Sequence, residues 1–346
     1  MAVRLASVAE ALLTPHGMDR YLELVDPMLV RREIRGRVVA ARHQTPDTVT
    51  LTVKPSRAWP GFAAGQHVRV GVDIDGVRHT RCYSPCGSQH DRTLEFTIRD
   101  QGLVSGFLHR GGNAILRLST PDGSFTLPPR RPDRILLISG GSGITPVLAM
   151  LRTLVDEGHP GEIAFVQYAR TADDVLYRPE LERLAARHPG LRVLHAYTRA
   201  KSGDLHGHFS AEHLTKAAPW FADAETYACG PRPLLEAVRA EFGLSERLHT
   251  EEFTPPMFAS GAAGGRIRFA RSGRECENSG KPLLEQAEDA GLAPEHGCRM
   301  GICFSCTQRK TTGRVRNAKS GEVSGEEDEE IQLCISVPLG DVEIDA

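Results

Sequence analysis

The sequence has no long apolar run and no strong excess of either charge. Its longest apolar stretch, Ile135 to Leu151, is interrupted at residues 139–142, short of the about 18 apolar residues of a membrane-spanning helix. Lys and Arg total 42 against 44 Asp and Glu, so we expect no nucleic-acid partner and no general attraction to an anionic membrane. Eight cysteines in 346 residues are too few for a disulfide scaffold, and no targeting segment is visible. These absences predict a cytoplasmic protein with reduced thiols.

What is present divides the chain into segments with different patterns. Short apolar–polar alternations such as Val49–Val53 and Leu94–Ile98 are typical of antiparallel strands closed as a small β-barrel. After Arg134, continuous apolar strands alternate with helices, which predicts an α/β domain with a parallel sheet. The predicted segments are an N-terminal extension (1–33), a β-barrel (34–130), an α/β domain (131–254), a Pro- and Gly-rich linker (255–265) and an α+β domain (266–346).

The clearest motif is a cysteine pattern in the last segment. Cys298, Cys303 and Cys306 have the C-x4-C-x2-C spacing, and Cys334 lies downstream. This is the plant-type 2Fe-2S pattern, in which three thiolates from one loop and one distant thiolate ligate both irons. A structural zinc site is the alternative, but it would favour paired C-x2-C knuckles.

The residues around the fourth cysteine extend this pattern. Residues 333–342 resemble the ferredoxin segment that supplies the last ligand, and the resemblance covers about residues 266–346. It implies a β-grasp ferredoxin fold. The same segment is acidic, with 15 Asp and Glu against 11 Lys and Arg. Its run Glu326–Glu330 is interpreted as either a solvated helical turn or a docking patch.

A second motif lies at the end of a predicted barrel strand. Arg81-Cys82-Tyr83-Ser84 resembles the R-x-Y-S flavin signature of the ferredoxin–NADP reductase superfamily. An Arg can pair with a phosphate, an aromatic ring can lie along the flavin, and a hydroxyl can sit near the nitrogen that accepts hydride. The alternative is a polar strand end with a buried tyrosine. The segment with Gly102, Val104 and Ser105 resembles the family's second motif, which implies FAD rather than FMN.

A third motif joins a buried strand to a helix. Gly141, Gly143, Ile144, Thr145 and Pro146 form a Gly-rich turn that lets backbone approach a pyrophosphate at a helix N-terminus. Its Pro ending departs from G-x-G-x-x-G and matches the reductase superfamily instead. Cys229-Gly230-Pro231 resembles the family's C-G-P, whose Cys lies near the nicotinamide; a small buried Cys before a turn is the alternative.

The choice of nicotinamide nucleotide depends on two strand ends. Where NADH-selective folds place an acidic residue, this chain has Arg170, and the next strand ends at Thr198-Arg199. In the resembled family, a hydroxyl–Arg pair at the latter position contacts the 2′-phosphate. These residues therefore favour NADPH, and NADH stays open as the alternative. The two arginines could also be ordinary solvated surface residues that contact no nucleotide.

Four residues are candidates for the reacting centre. Ser84 and Cys229 belong to the motifs above. Glu251 and Phe253 end the nucleotide domain, where relatives place a Glu and an aromatic residue beside the flavin. Phe253 could equally be a core residue.

The order of the three domains implies electron transfer from NAD(P)H through FAD to the 2Fe-2S cluster and then to a protein acceptor. The extension, with apolar residues at helical spacing from Leu12 to Val30, weakly resembles that of bacterial reductases which serve membrane acyl-CoA desaturases. Such a reductase would be peripheral, through its membrane-bound partner. Ring-hydroxylating dioxygenase, cytochrome P450 and phenylacetyl-CoA epoxidase systems are alternative acceptors. A redox sensor that uses the cluster as a switch is a different alternative.

Overall fold

The computed structural model describes residues 18–112, 115–253, 263–297, 299–301 and 304–346. The chain forms two compact units. One comprises residues 1–79 and 83–253, and the other residues 80–82 and 254–346. Within the described ranges, no helix combines the length and apolarity needed to cross a bilayer.

The larger unit begins with an antiparallel sheet in the order β4-β3-β6-β1-β2-β5. These strands are β1 (Ile34–Thr45), β2 (Thr48–Pro55), β3 (Val68–Ile74), β4 (Val77–Tyr83), β5 (Leu94–Arg99) and β6 (Ile115–Leu118). Val49, Leu51 and Val53 of β2 are buried in one core with Phe96 of β5. The predicted antiparallel sheet is confirmed, but among the described residues no ladder joins β4 to β5, so the predicted closed barrel is an open half-barrel. Beyond β4, Pro85 has no N–H with which to extend the ladder.

Two helices accompany this sheet, α1 (Met18–Val25) before it and α2 (Leu103–His109) between β5 and β6. Charged groups tie α1 to the start of β1. The Asp19 carboxylate accepts from the N–H groups of Arg31 and Arg32 at 3.0 Å, and Glu23 pairs with Arg35 at 2.8 Å. The helical pattern predicted from Leu12 is therefore present as a short helix, and residues 12–17 lie outside the described residues.

A six-stranded sheet with all strands parallel follows, in the order β10-β9-β8-β7-β11-β12. Its strands are β7 (Arg134–Gly140), β8 (Glu162–Ala169), β9 (Leu191–Tyr197), β10 (Leu205–His206), β11 (Glu225–Cys229) and β12 (Leu248–Glu251). Its helices are α3 (Ile144–Asp156), α4 (Arg178–Arg187), α5 (Ala211–Ala217) and α6 (Arg232–Phe242). The predicted parallel α/β sheet is confirmed. The strand order reverses beside β7, and ligands of such sheets bind at this kind of reversal.

The smaller unit has a mixed sheet in the order β14-β13-β19-β15-β17 and a strand pair β16-β18. Its elements are β13 (Arg266–Phe269), β14 (Arg274–Glu277), α7 (Leu283–Asp289), β15 (Thr307–Thr312), β16 (Val315–Asn317), β17 (Glu329–Gln332), β18 (Ser336–Pro338) and β19 (Val342–Ile344). Leu283 and Leu284 of α7 pack with Ile267 and Phe269 of β13 in its core. Residues 255–262 of the predicted linker lie outside the described residues.

The helical turn considered for Glu326–Glu330 is wrong, because the run leads into the edge strand β17. The cause is Lys310 on β15, whose side chain is completely buried. Its ammonium donates to the carbonyls of Gly325 at 3.0 Å and Glu327 at 2.6 Å. These bonds fasten the segment that leads into β17 to the neighbouring strand β15.

Candidate cofactor-binding sites

The loops that follow β7 and β11 approach each other closely enough to require glycine. A Cβ on Gly143 would lie 2.4 Å from the carbonyl oxygen of Cys229 and 2.7 Å from Cα of Gly230. Gly141 opens the turn with φ 55°, a value that favours glycine. α3 begins at Ile144, whose N–H donates to the carbonyls of Gly141 and Ser142, and Pro146 has no N–H, so pyrophosphate binding at this helix N-terminus stays a prediction.

A cavity of about 750 Å³ opens beside this turn. One wall comes from the antiparallel sheet and the other from the parallel sheet. The first wall includes Thr45, Asp47, Thr97 and Arg99, and the second includes Gly141, Arg170, Asp174, Leu176, Thr198, His208, Phe209 and Pro231. Its volume is in the range of small-molecule and cofactor sites.

Each wall of the cavity carries one charge pair. Arg99 and Asp47 are 2.7 Å apart, and Arg170 and Asp174 are 2.5 Å apart. The hydroxyl of Thr45, followed by Arg99, lowers the pKa of Asp47 to about 2. Partial burial alone would raise the pKa of Asp174, but hydrogen bonds from Thr171 and Arg170 lower it. An anionic ligand would therefore compete with two carboxylates for these guanidinium groups.

Only some of the residues predicted for the nucleotide line this cavity. Gly141, Arg170, Thr198 and Pro231 do. Arg199 is exposed and is not among the lining residues. The other predicted residues are buried behind the turn: Gly143, Ile144, Thr145, Pro146, Cys229 and Gly230. The Thr145 hydroxyl donates to the carbonyl of Ser142 at 3.3 Å, so it closes the turn.

Cys229 and Glu251 lie opposite each other on β11 and β12. Both the Glu251 carboxyl oxygen Oε2 and the Oε1 of Glu252 are enclosed and have no hydrogen-bond partner among the described residues. Burial raises the pKa of Glu251 to about 8. Burial, with the nearby carboxyls, also raises the pKa of the Cys229 thiol. A carboxyl of this kind can hold a proton near neutral pH.

Phe253 packs against the core that contains Cys229. This position agrees both with a core residue and with a residue that shields the flavin.

The flavin motif occupies the end of the edge strand β4, with Ser84 as the first residue after it. Ser84 is 3% exposed, and its Oγ has no hydrogen-bond partner among the described residues. Tyr83 is half-buried with its ring 6.5 Å from that of Phe96, and Arg81 donates to the carbonyl of Thr80 at 2.8 Å. Cys82 is also half-buried. A buried hydroxyl without a protein partner among the described residues fits a polar cofactor, so Ser84 is compatible with a flavin.

The second flavin motif forms the start of α2. Gly102 precedes the helix, and Val104 is buried in the core of the antiparallel sheet. The Ser105 hydroxyl accepts from the N–H of Gln101 at 3.0 Å and donates to the carbonyl of Gly102 at 3.2 Å. Its contacts are therefore those of a residue that closes the helix start, and a role toward pyrophosphate stays a prediction.

Of the four predicted cluster ligands, the structure describes two. Cys306 and Cys334 are both buried, and the N–H of Cys334 donates to Sγ of Cys306 at 3.5 Å. Cys298 and Cys303 lie outside the described residues. Gly301 between them has φ 70°, and a Cβ there would lie 2.6 Å from the Ile335 side chain. Thiols brought together from distant segments, with an amide donor on sulfur, fit an iron–sulfur cluster.

Sequence reasoning missed the wall of the cavity that the antiparallel sheet supplies. Asp47 lies at the turn between β1 and β2, and Arg99 ends β5. Their position opposite Arg170 depends on how the two sheets pack, and no local pattern reports that packing. The Pro-Asp pair at residues 46–47 indicates only a turn.

Comparisons with known proteins match both halves of this description. Residues 137–240 match the family described as the oxidoreductase NAD-binding domain. Residues 267–339 match the family described as the 2Fe-2S iron-sulfur cluster binding domain.

Two relatives and one solved structure extend over most of the chain. An NADPH oxidoreductase of Mycobacterium tuberculosis is 36% identical, over 99% of this chain and 92% of its own length. The glycine betaine monooxygenase reductase subunit of Pseudomonas aeruginosa is 32% identical, over 82% of this chain and 87% of its own length. The structure of phthalate dioxygenase reductase has a TM-score of 0.63 and 22% sequence identity, and the match covers 90% of this chain and 97% of that one. This similarity shows a shared fold. The chain therefore belongs to the ferredoxin–NADP reductase-type oxidoreductases, which bind FAD and a nicotinamide nucleotide and carry a C-terminal 2Fe-2S domain.

Proposed function

We propose that this protein is the reductase component of an oxygenase-type system and that it uses NADPH. When bound, the nucleotide supplies a hydride, FAD accepts it, and the 2Fe-2S cluster passes single electrons to the acceptor. The chain's own part is to hold the groups in place. The flavin assignment depends on the Ser84 hydroxyl, which is buried and has no partner among the described residues. Arg81 and Tyr83 precede Ser84 in the same motif.

Glu251 is proposed to hold and release a proton beside Cys229, because its enclosed carboxyl titrates near neutral pH. Phe253 is proposed to shield the flavin. The cluster is proposed to have Cys298, Cys303, Cys306 and Cys334 as ligands, in a domain with the β-grasp fold. These residue roles stay predictions.

Two observations support NADPH over NADH. Arg170 and Thr198 both line the cavity, where a phosphate on the ribose could meet a cation and a hydroxyl. The Mycobacterium tuberculosis relative is named for NADPH. A tenfold higher kcat/KM with NADH than with NADPH would contradict this choice.

For the acceptor, the relative from Pseudomonas aeruginosa is named as the reductase subunit of a monooxygenase, which supports an oxygenase. The acyl-CoA desaturase considered first has no such support, and it stays a prediction from the N-terminal extension, as does the cytoplasmic location. Reconstitution with purified oxygenase and desaturase candidates, scored by product formation, separates the two. Product with a desaturase alone would overturn the oxygenase proposal.

The test of the electron path uses cysteine variants of the full chain. We expect Cys334→Ser to lose cytochrome c reduction while NADPH still bleaches the flavin absorbance. Cys276→Ser, a half-buried cysteine of the same unit outside the ligand pattern, is the matched control and should keep both. If Cys334→Ser reduced cytochrome c at the normal rate, the proposed path would be wrong. Sustained turnover of the unchanged protein would also count against a redox sensor.

A further inference from the structure

Tyr177 has a backbone conformation that its residue type disfavours. It precedes α4 with φ 60° and ψ 19°, in the left-handed region, yet it is only 3% exposed. A bulky residue in this region costs about 1–2 kcal/mol and persists where surrounding contacts hold it. Such a residue invites the question of what its side chain does.

The Tyr177 hydroxyl connects the parallel-sheet half of the larger unit to the antiparallel sheet. It lies 2.8 Å from Oγ1 of Thr50 on β2, shares a hydrogen bond with Thr97 on β5, and lies 3.3 Å from Sγ of Cys86. Thr50 and Thr97 are paired across the two strands, with their hydroxyls 3.1 Å apart. Burial raises the pKa of Tyr177, so the group stays a neutral hydroxyl at physiological pH.

The tyrosine ring is held as firmly as its hydroxyl. The guanidinium carbon of Arg152 lies 5.1 Å from the ring centroid, and that of Arg42 lies 5.7 Å from it. Arg152 on α3 also donates to both carboxylate oxygens of Glu180 at 2.7 and 2.8 Å, and to Glu95 at 2.7 Å. Arg152 thereby connects two helices of the parallel-sheet half to β5 of the antiparallel sheet, beside the tyrosine ring.

This network borders the cavity described above. Thr97 lines the wall from the antiparallel sheet, and Leu176, the residue before Tyr177, lines the opposite wall. The Tyr177–Thr97 hydrogen bond therefore joins one wall to the other at their base.

We propose that Tyr177 is a positioning residue for the nicotinamide nucleotide: its hydroxyl, held by Thr50 and Thr97, fixes the separation of the two cavity walls and so the affinity for NADP(H). This inference rests on the proposed function, since it takes the cavity to be the nucleotide site. Thr50 is not among the lining residues, so it acts through its hydrogen bonds to Tyr177 and Thr97.

The experiment compares isosteric variants of the holoprotein. Tyr177→Phe removes only the hydroxyl, Thr50→Val removes its partner, and Thr50→Ser retains that partner. Tyr227→Phe is the control, because Tyr227 is buried in the same core but stacks on His249. The Kd of NADP⁺ is measured from the flavin difference spectrum without turnover. FAD content, the thermal midpoint, and KM and kcat with ferricyanide are measured beside it.

We expect Tyr177→Phe and Thr50→Val each to raise the Kd of NADP⁺ and the KM about three- to tenfold, the loss that one buried hydrogen bond allows. FAD content should not change, and kcat should change less than KM. The double variant should be no weaker than either single one, and Thr50→Ser and Tyr227→Phe should bind normally.

An unchanged Kd in Tyr177→Phe, whatever its thermal midpoint, would overturn the inference, and so would loss of FAD. If Tyr177→Phe does not fold, the comparison of Thr50→Val with Thr50→Ser decides, and equal Kd values would overturn it. Failure of the proposed function is a separate result, because it is seen in the unchanged protein, as a tenfold higher kcat/KM with NADH than with NADPH or as product with a desaturase alone.

Discussion

The enclosed carboxyl of Glu251 makes the stability of the larger unit depend on pH in a defined direction. Below pH 4.5, the ordinary pKa, this carboxyl is protonated in both the folded and the unfolded chain. Between that pH and about 8, the unfolded chain loses the proton while the folded chain keeps it. The free energy of unfolding therefore falls by up to about 1.4 kcal/mol per pH unit in this window.

The magnitude follows from the two pKa values. A group whose pKa moves from 4.5 to about 8 on folding costs the folded state at most about 5 kcal/mol once it is ionised. Water entry and relaxation around the carboxylate reduce this cost, so we expect about 2–4 kcal/mol at pH 8.5. The Glu251→Gln variant removes this titrating carboxyl. Its free energy of unfolding should therefore rise by that amount relative to the unchanged protein as the pH goes from 5 to 8.5.

Denaturant unfolding at pH 5, 7 and 8.5, followed by the fluorescence of released FAD, reports on the larger unit. Glu246→Gln, which removes an exposed carboxylate, corrects for the change in net charge. Stability differences between Glu251→Gln and the unchanged protein that stay constant across this pH range would refute the reasoning. An advantage of the variant at pH 5 that disappears at pH 8.5 would refute its sign.

Three further predictions concern single residues. Gly143→Ala places a Cβ against the backbone of Cys229 and Gly230, so it should weaken NADP⁺ binding at least tenfold, as measured by the flavin difference spectrum. Lys310→Met leaves two carbonyls without their donor and should destabilise the smaller unit by about 1–3 kcal/mol. The measurement is the temperature at which the cluster absorbance is lost, which should fall. Lys319 is exposed, so Lys319→Met should leave this temperature unchanged. Arg170→Gln should raise the KM for NADPH about tenfold and leave that for NADH unchanged, and equal effects on both would contradict a phosphate contact.

Local patterns predicted the sheets because each strand and turn carries its own signal. The buried run at Ile135–Ile138 and the glycines after it specify a strand, a tight turn and a helix within about 20 residues, and β7 and α3 form there. The same holds for Leu94–Ile98, which lies in β5. Hydrophobic periodicity is a property of neighbouring residues, so the sequence alone reports it.

Contacts between distant segments were not predictable in this way. The bond between Tyr177 and Thr50 joins residues 127 positions apart, and the charge pair of Arg99 and Asp47 joins residues 52 apart. The acidic run was misjudged for the same reason. Its conformation depends on the buried ammonium of Lys310, which an ordinary exposed lysine in sequence does not reveal.

The two outer strands of the smaller unit's sheet are both rich in charge. β14 carries Arg274, Glu275 and Glu277, and β17 begins with Glu329 and Glu330. An edge strand offers unpaired N–H and C=O groups to any other extended chain, and charges along it oppose such pairing. Lys310 fastens the segment that leads into β17, and Glu329 and Glu330 then lie along one open edge, so a second copy approaching that edge meets like charges.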